Sequence, residues 1–176
     1  MSECPRILAL DLSLTATGYC KDDDMGVIKT PANKLRGWER IDDIVSRIGD
    51  LTLGVDVAVI EGYSYASKGR SIFQIAELGG IVRWELYSRR LPYVDVAPSC
   101  LKRYATGKGN ANKDAMIAAA IHRFGFQGSD NNEADAFLLY CMARHAYGHP
   151  VARVTAVQAE SVGKVEWPEI ERTDHV

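Results

Sequence analysis

The sequence predicts an α/β fold: a mixed five-stranded sheet, a three-strand antiparallel meander plus two parallel strands, flanked by helices. Three observations predict it. Two apolar runs, Ile7-Leu8-Ala9-Leu10 and Val57-Ala58-Val59-Ile60, read as strands buried on both faces, and each ends in a carboxylate, Asp11 and Glu61. A helical pattern lies between the two runs, so the second strand follows a crossover and pairs parallel to the first. Short polar turns link the first run to the two strands after it, which is the spacing of a meander.

The elements follow in order. Residues 6–12 form the first strand, and a turn at Ser13-Leu14-Thr15 leads into the second at Thr17-Gly18-Tyr19-Cys20-Lys21. Lys21-Asp22-Asp23-Asp24 is a polar turn, and Met25 to Thr30 makes the third strand. From Gly37 to Leu51, Trp38, Ile41, Ile44, Val45 and Ile48 recur at helical spacing. Asp56 to Glu61 is the fourth strand. Residues 71–90 predict a long helix that is apolar nearly all round, the mark of a deeply buried or interface helix. Gly79-Gly80 inside it lowers helical propensity but permits close backbone approach. Leu91 to Val96 is the fifth strand, and Pro98 is placed to open the next helix. Asn112 caps a helix running to about Phe124, and Asn131 or Asn132 caps one running to about Ala146. After Pro150 apolar periodicity fades. Residues 1–150 therefore read as the folded domain and 151–176 as a partly ordered C-terminal tail.

Composition narrows the class. A chain of 176 residues is long enough for one domain with a proper core. No apolar stretch approaches the roughly 20 residues needed to span a bilayer, and Met1-Ser2-Glu3-Cys4-Pro5-Arg6 has no secretion-signal pattern, so no membrane partner and a cytoplasmic location are expected. Cys4, Cys20, Cys100 and Cys141 form no Cys-x-x-Cys pair and read as reduced thiols. Net charge is −2, yet its distribution is uneven. Residues 1–61 carry 7 basic and 11 acidic side chains, residues 68–123 carry 10 and 4, and residues 151–176 carry 3 and 5. A basic middle between acidic ends suits a one-sided phosphate-binding face, to which Lys68, Arg70, Lys102, Lys108 and Lys113 belong.

Asp11 and Glu61 end buried strands, and a third acid, Asp135, stands in Asn-Asn-Glu-Ala-Asp-Ala-Phe near a helix start. Desolvating unpaired carboxylates is costly, and three of them around one point repel unless a cation sits between. Hard oxygen donors without Cys or His select Mg²⁺ or Mn²⁺ over zinc.

These residues, in this order, resemble the RuvC-type Holliday junction resolvases of the RNase H-like superfamily, the shorter phage and prophage members most of all. Ile7-Leu8-Ala9-Leu10-Asp11-Leu12-Ser13-Leu14-Thr15-Ala16-Thr17-Gly18-Tyr19 is similar to the family's opening motif, Val59-Ile60-Glu61 to its second, and Ala134-Asp135-Ala136-Phe137 to its last. Val96-Ala97-Pro98-Ser99, Lys102 and the stretch Gly107-Lys108-Gly109-Asn110-Ala111-Asn112-Lys113 are similar to its basic segment. The likeness runs from about Arg6 to Ala146 and implies an RNase H-like nuclease domain over residues 1–150.

That resemblance implies Asp11, Glu61 and Asp135 as metal-binding catalytic carboxylates, Asp11 bridging two Mg²⁺ ions with Mn²⁺ able to substitute. It implies Lys113 beside the cleaved phosphate, Lys102 as a second functional lysine, and a homodimer through helix 71–90. The activity implied is resolution of four-way junctions by paired nicks, with a broader branched-DNA or flap nuclease and a non-catalytic junction binder as alternatives. Three departures stand out. Where the family has a fourth carboxylate, this chain has Asn132, with Glu133 and Asp130 as neighbouring candidates. Leu12-Ser13 replaces the Pro-Gly of the best-known bacterial members. The family's junction-wedging aromatic aligns with Ser64, and Tyr63 and Tyr65 flank it as candidates for stacking on bases.

Overall fold

The structure, a computed structural model, describes residues 3–22, 24–31, 33–63 and 71–170. Tyr65, Lys68 and Arg70 lie outside the described residues. Five strands, β1 (Ile7–Asp11), β2 (Ala16–Lys21), β3 (Asp24–Lys29), β4 (Val57–Glu61) and β5 (Tyr93–Val96), form one sheet in the order β3-β2-β1-β4-β5. The first three strands are an antiparallel meander, and β4 pairs parallel to both β1 and β5. This is the mixed sheet that the sequence predicts.

Helices cover both faces. α1 (Gly37–Leu51) and α2 (Ser71–Ser88) lie on one side; α3 (Pro98–Thr106), α4 (Lys113–Ala119), α5 (Asn131–Ala146) and α6 (Ala156–Val162) lie on the other. Strand alternation splits the core accordingly. Leu8, Leu10, Ala58 and Ile60 pack with Ile44, Ile48, Leu78, Val82 and Leu86 of α1 and α2. Ile7, Ala9, Val57 and Val59 pack under α5 with Leu138, Leu139 and Met142. Residues two apart on a strand share a face, so each central strand feeds both cores.

The loop from β1 to β2 is tied at both ends. The buried Thr17 donates its hydroxyl to the Ser13 carbonyl at 2.6 Å and accepts from the Ser13 N–H at 3.1 Å. The Thr30 hydroxyl donates to the Leu14 carbonyl at 2.6 Å. Leu12 and Ser13 are thereby held beside Asp11.

Three boundaries differ from expectation, each for a local reason. The helix after Asn112 stops being α-helical at Ala119 and continues as a π-helical turn, Ala120–Phe124, ended by Gly125 in the left-handed region. α5 is capped by Asp130, not by Asn131 or Asn132: Asp130 Oδ1 accepts the N–H of Asn132 at 2.9 Å and of Glu133 at 3.4 Å. β5 begins at Tyr93, after the turn at Arg89 and Arg90, where Arg90 has a φ of +56°. The segment read as a partly ordered tail carries α6, opened by a reciprocal Thr155–Gln158 capping box. Gln158 is buried, and its amide donates to the carbonyls of Tyr104 and Ala105 at the end of α3. Trp167 then packs edge-on against Tyr147 and donates to the Val162 carbonyl. Among the described residues no helix is long and apolar enough to cross a membrane.

Candidate active site

Register and alternation bring the first two acids together. Leu10 pairs with Ile60 across parallel strands, so Asp11 and Glu61 leave the sheet side by side. Both share the parity of Ile7, Ala9, Val57 and Val59, and so project toward the α5 face. Asp135 comes down from α5 onto the same spot. One carboxylate oxygen from each of the three lies within 4.8 Å of the others. Among the described residues, no other group of three or more Asp, Glu, His or Cys donors converges in this way.

The close approach of α5 depends on Gly18. That residue is the antiparallel partner of Asp11, and a β-carbon built on it would overlap the Asn132 carbonyl group. The missing side chain lets the first turn of the helix settle on the sheet next to Asp11. Glycine inside a strand has this meaning often: another backbone comes too near for any side chain.

Burial and mutual repulsion shape the ionisation of the three acids. Burial pushes the Asp11 carboxyl well above the ordinary aspartate range, and the charges of Glu61 and Asp135 push it further. Glu61 rises to about 7, first through burial and then through Asp135. Asp135 rises to about 6 through burial, while Lys113 and Lys102 pull it back. Such a site favours either protons or a cation. Its donor set, three half-buried carboxylates sharing one point, fits a hard divalent ion.

A pH dependence follows from the signs. Carboxyls with raised folded-state values hold more protons folded than unfolded between roughly pH 4 and pH 7, so metal-free stability falls as pH rises through that window. A divalent ion competes with fewer protons at about pH 8 than at about pH 5, where Glu61 and Asp135 hold theirs. Mn²⁺ is therefore expected to raise the melting temperature more at the higher pH, as thermal unfolding scans in both buffers would measure.

The acids line a cavity of about 630 Å³. Lys102 from α3 and Lys113, the first residue of α4, stand on its rim with Asn132. Asn112 fixes the start of α4 by accepting the Ala115 N–H at 2.9 Å. The opposite wall is apolar: Tyr63, Ile72, Ile75 and Ala76, with Leu12 and Met116 nearby. Sequence reasoning named only Tyr63 of this wall, because the other members are spread over several elements and none is unusual alone.

The remaining candidates separate cleanly. Asp130, expected as an alternative metal ligand, caps α5 through its Oδ1 and is not among the residues that line the cavity. Glu133 turns toward Gly128 and Tyr19. Of the three residues considered for the fourth ligand, Asn132 alone lines the cavity. Lys108 lies on the loop after α3, where its N–H donates to the Thr106 hydroxyl at 3.1 Å, and is not part of the cavity wall. Tyr63 borders the cavity, half exposed, with its hydroxyl tied to α2.

A five-stranded mixed sheet carrying three acids at the ends of β1 and β4 and near the start of α5 defines an RNase H-like protein with a candidate carboxylate metal site. The family model "Crossover junction endodeoxyribonuclease RuvC" matches residues 12–137, and the chain belongs to that RuvC family. Among relatives of that name, the protein of Gloeobacter violaceus is 29% identical over 172 residues, covering 90% of this chain and 98% of that one. The protein of Synechococcus sp. (strain WH7803) is 26% identical over 133 residues, 69% of this chain and 85% of that one. Two solved structures share the fold. Thermus thermophilus RuvC superposes with a TM-score of 0.65 at 15% identity, covering 81% of this chain and 96% of that one. The T. thermophilus RuvC complex with a Holliday junction substrate gives 0.65 at 16% identity, covering 77% and 90%.

Proposed function

We propose that this chain is a divalent-metal-dependent endonuclease that resolves four-way DNA junctions by paired nicks, leaving 5′-phosphate and 3′-hydroxyl ends. The observation that carries the proposal is the convergence of Asp11, Glu61 and Asp135 beside Lys102 and Lys113, in a chain of the RuvC family. The T. thermophilus protein of the same fold, solved with a Holliday junction as its substrate, supports the choice of DNA.

Asp11, Glu61 and Asp135 would hold Mg²⁺, or Mn²⁺ in its place, two ions per site, with Asn132, which lines the cavity, offering a neutral amide oxygen. When bound, such ions polarise a phosphoryl oxygen and lower the proton affinity of water. Lys113 neutralises charge on the phosphate being cleaved, and its place at the capped start of α4 fixes the backbone from which the side chain reaches the cavity. Lys102 adds a second positive charge on the same rim. Lys108, further out, contacts the DNA backbone, as do Lys68 and Arg70. Tyr63 and Tyr65 meet the bases at the branch. Binding of this kind weakens steeply with salt, because each neutralised phosphate releases counterions.

The chain acts as a homodimer through α2. One face of that helix, Leu78, Val82 and Leu86, is fully buried, yet Phe73, Trp84 and Tyr87 on the opposite face are 72%, 66% and 75% exposed. Three large aromatic side chains along one helix stripe belong in an interface. A two-fold dimer presents two equal sites, as paired nicks on a four-way junction require. Trp84→Glu is expected to give monomers in sedimentation velocity and to replace paired nicking with slow single nicks. A dimer of unchanged affinity would exclude this face. Action on DNA supports a cytoplasmic location.

The direct test incubates the wild-type chain with four-way, three-way and flap DNA in Mg²⁺. Symmetric nicks in the four-way substrate that a ligase reseals are the expected result. Equal rates on flaps would make it a broader branched-DNA nuclease, and no nicking in Mg²⁺ or Mn²⁺ would leave a junction binder only.

A further inference from the structure

The cavity has one wall that the metal chemistry does not use, and the device that holds it is built from three separate elements. Gly62 extends β4 by donating its N–H to the Val96 carbonyl at 2.8 Å. Tyr63 then leaves the sheet and leans onto α2. Its hydroxyl donates to the Ala76 carbonyl at 3.2 Å and accepts from Arg83 Nη1 at 2.9 Å, so both hydrogen-bonding roles of the phenol are filled. The other edge of the same guanidinium forks onto Asp95 of β5, Nε to Oδ2 at 3.2 Å and Nη2 to Oδ1 at 2.5 Å. The guanidinium carbon lies 4.8 Å from the Tyr63 ring centroid.

The packing is specific to this arrangement. A β-carbon at Gly79 would overlap the Tyr63 hydroxyl and the Arg83 guanidinium, so only glycine admits the clamp at that point of α2. Helix interiors disfavour glycine, and Gly79 stands where the clamp needs the space. Arg83 is 16% exposed at its side chain, against 43% for Asp95. A bidentate, mostly covered arginine fork is a rigid mount, unlike a surface lysine pair.

We propose that Arg83 is a positioning residue: held by Asp95, it fixes the Tyr63 ring as a stacking platform for the nucleotide beside the scissile phosphate. The inference rests on the nuclease reading above and deepens it by naming how the branch nucleotide is received. Tyr63 is two residues from Glu61 and lines the same cavity as Asp11 and Asp135, with Ile72, Ile75 and Ala76 continuing the apolar surface. Phosphate and ribose have no use for such a wall, whereas a base lifted from its stack does. A ring already locked in place loses no rotamer freedom when the base arrives, so the clamp strengthens binding without touching DNA.

The test compares Arg83→Lys, Arg83→Ala, Asp95→Asn, Tyr63→Phe and Tyr63→Ala with the wild-type chain. Each is measured on four-way junctions carrying 2-aminopurine at successive positions around the cut, first in Ca²⁺ for binding and then in Mg²⁺ for nicking. Wild type is expected to quench one of these positions. Tyr63→Ala should lose the quenching and about tenfold in affinity, with kcat changed far less than KM. Tyr63→Phe keeps the ring but loses the hydroxyl clamp, so it should match Arg83→Lys and Arg83→Ala, and the Tyr63→Phe/Arg83→Ala double variant should be no worse than either alone. Melting temperatures report any general loss of fold, which would lower the active fraction, and so the apparent kcat, with KM unchanged. Full quenching in Tyr63→Phe or in all Arg83 variants would overturn the clamp while leaving the nuclease standing. A wild-type chain that neither binds nor nicks the junction would overturn both.

Discussion

Asp11→Asn is expected to abolish nicking and to leave junction binding intact. Asp11 ends β1 at the point where Glu61 and Asp135 also arrive, so it is the acid closest to being shared by everything the site holds. Its amide replacement keeps the shape and removes one of three charges. A loss of at least about 10³-fold in kcat is expected, the scale of removing a group that acts on the reacting atoms. Lys102, Lys113 and the rest of the basic face remain, so a gel-shift affinity within about threefold of wild type is expected. Stability moves the other way. Asp11 is repelled by both neighbours and buried, so metal-free Asp11→Asn should melt no lower than wild type at about pH 8, and higher if repulsion outweighs the lost hydrogen-bonding capacity. A variant that cuts at the wild-type rate in Mg²⁺ would remove Asp11 from the mechanism.

Gly18→Val carries the second-largest effect, though residue 18 touches neither DNA nor metal. Any β-carbon there meets the backbone of Asn132, so the first turn of α5 must lift off β2. Asp135 rides on that turn, and a displacement of about 1 Å at a reacting centre costs on the order of 10²-fold. The strain also lowers folding stability by roughly 1–3 kcal/mol, the usual range for overpacking a well-filled site. Gly18→Ala should fall between. Gly163, where a β-carbon has only an ordinary contact and φ is −69°, serves as the tolerant comparison. Steady-state kinetics with urea unfolding separates the two losses. If Gly18→Val retains full activity, the helix is not seated by that glycine.

The sheet was readable because its central strands are apolar on both faces and separated by helical patterns. Ile7 to Leu10 and Val57 to Ile60 leave few alternatives. The acids were readable for a related reason: a carboxylate ending such a strand has no structural use, and two of them in parallel register must sit together. The cap of α5 was less legible. Asp130, Asn131 and Asn132 are all good caps, and a polar run does not say which one turns the chain. The same ambiguity bears on the fourth-ligand question, since Asp130 caps the helix through Oδ1 while Asn132 lines the cavity. α6 hid in a segment of weak periodicity, although Thr155-x-x-Gln158 carried a capping-box signature. Gly18 was visible as a glycine within a strand, but its partner, 114 residues later in the chain at Asn132, was not. The Arg83 clamp was hidden for the same reason, being assembled from a strand end, a helix and a second strand. Non-local polar contacts leave no period in the sequence.

Crystals soaked in Mn²⁺, with an anomalous difference map, test most directly whether Asp11, Glu61 and Asp135 share a cation. A peak within coordination distance of one oxygen from each acid, absent in Asp11→Asn crystals, is the predicted result. A map with no peak among the three at millimolar Mn²⁺, or one whose peaks contact other residues only, would contradict it.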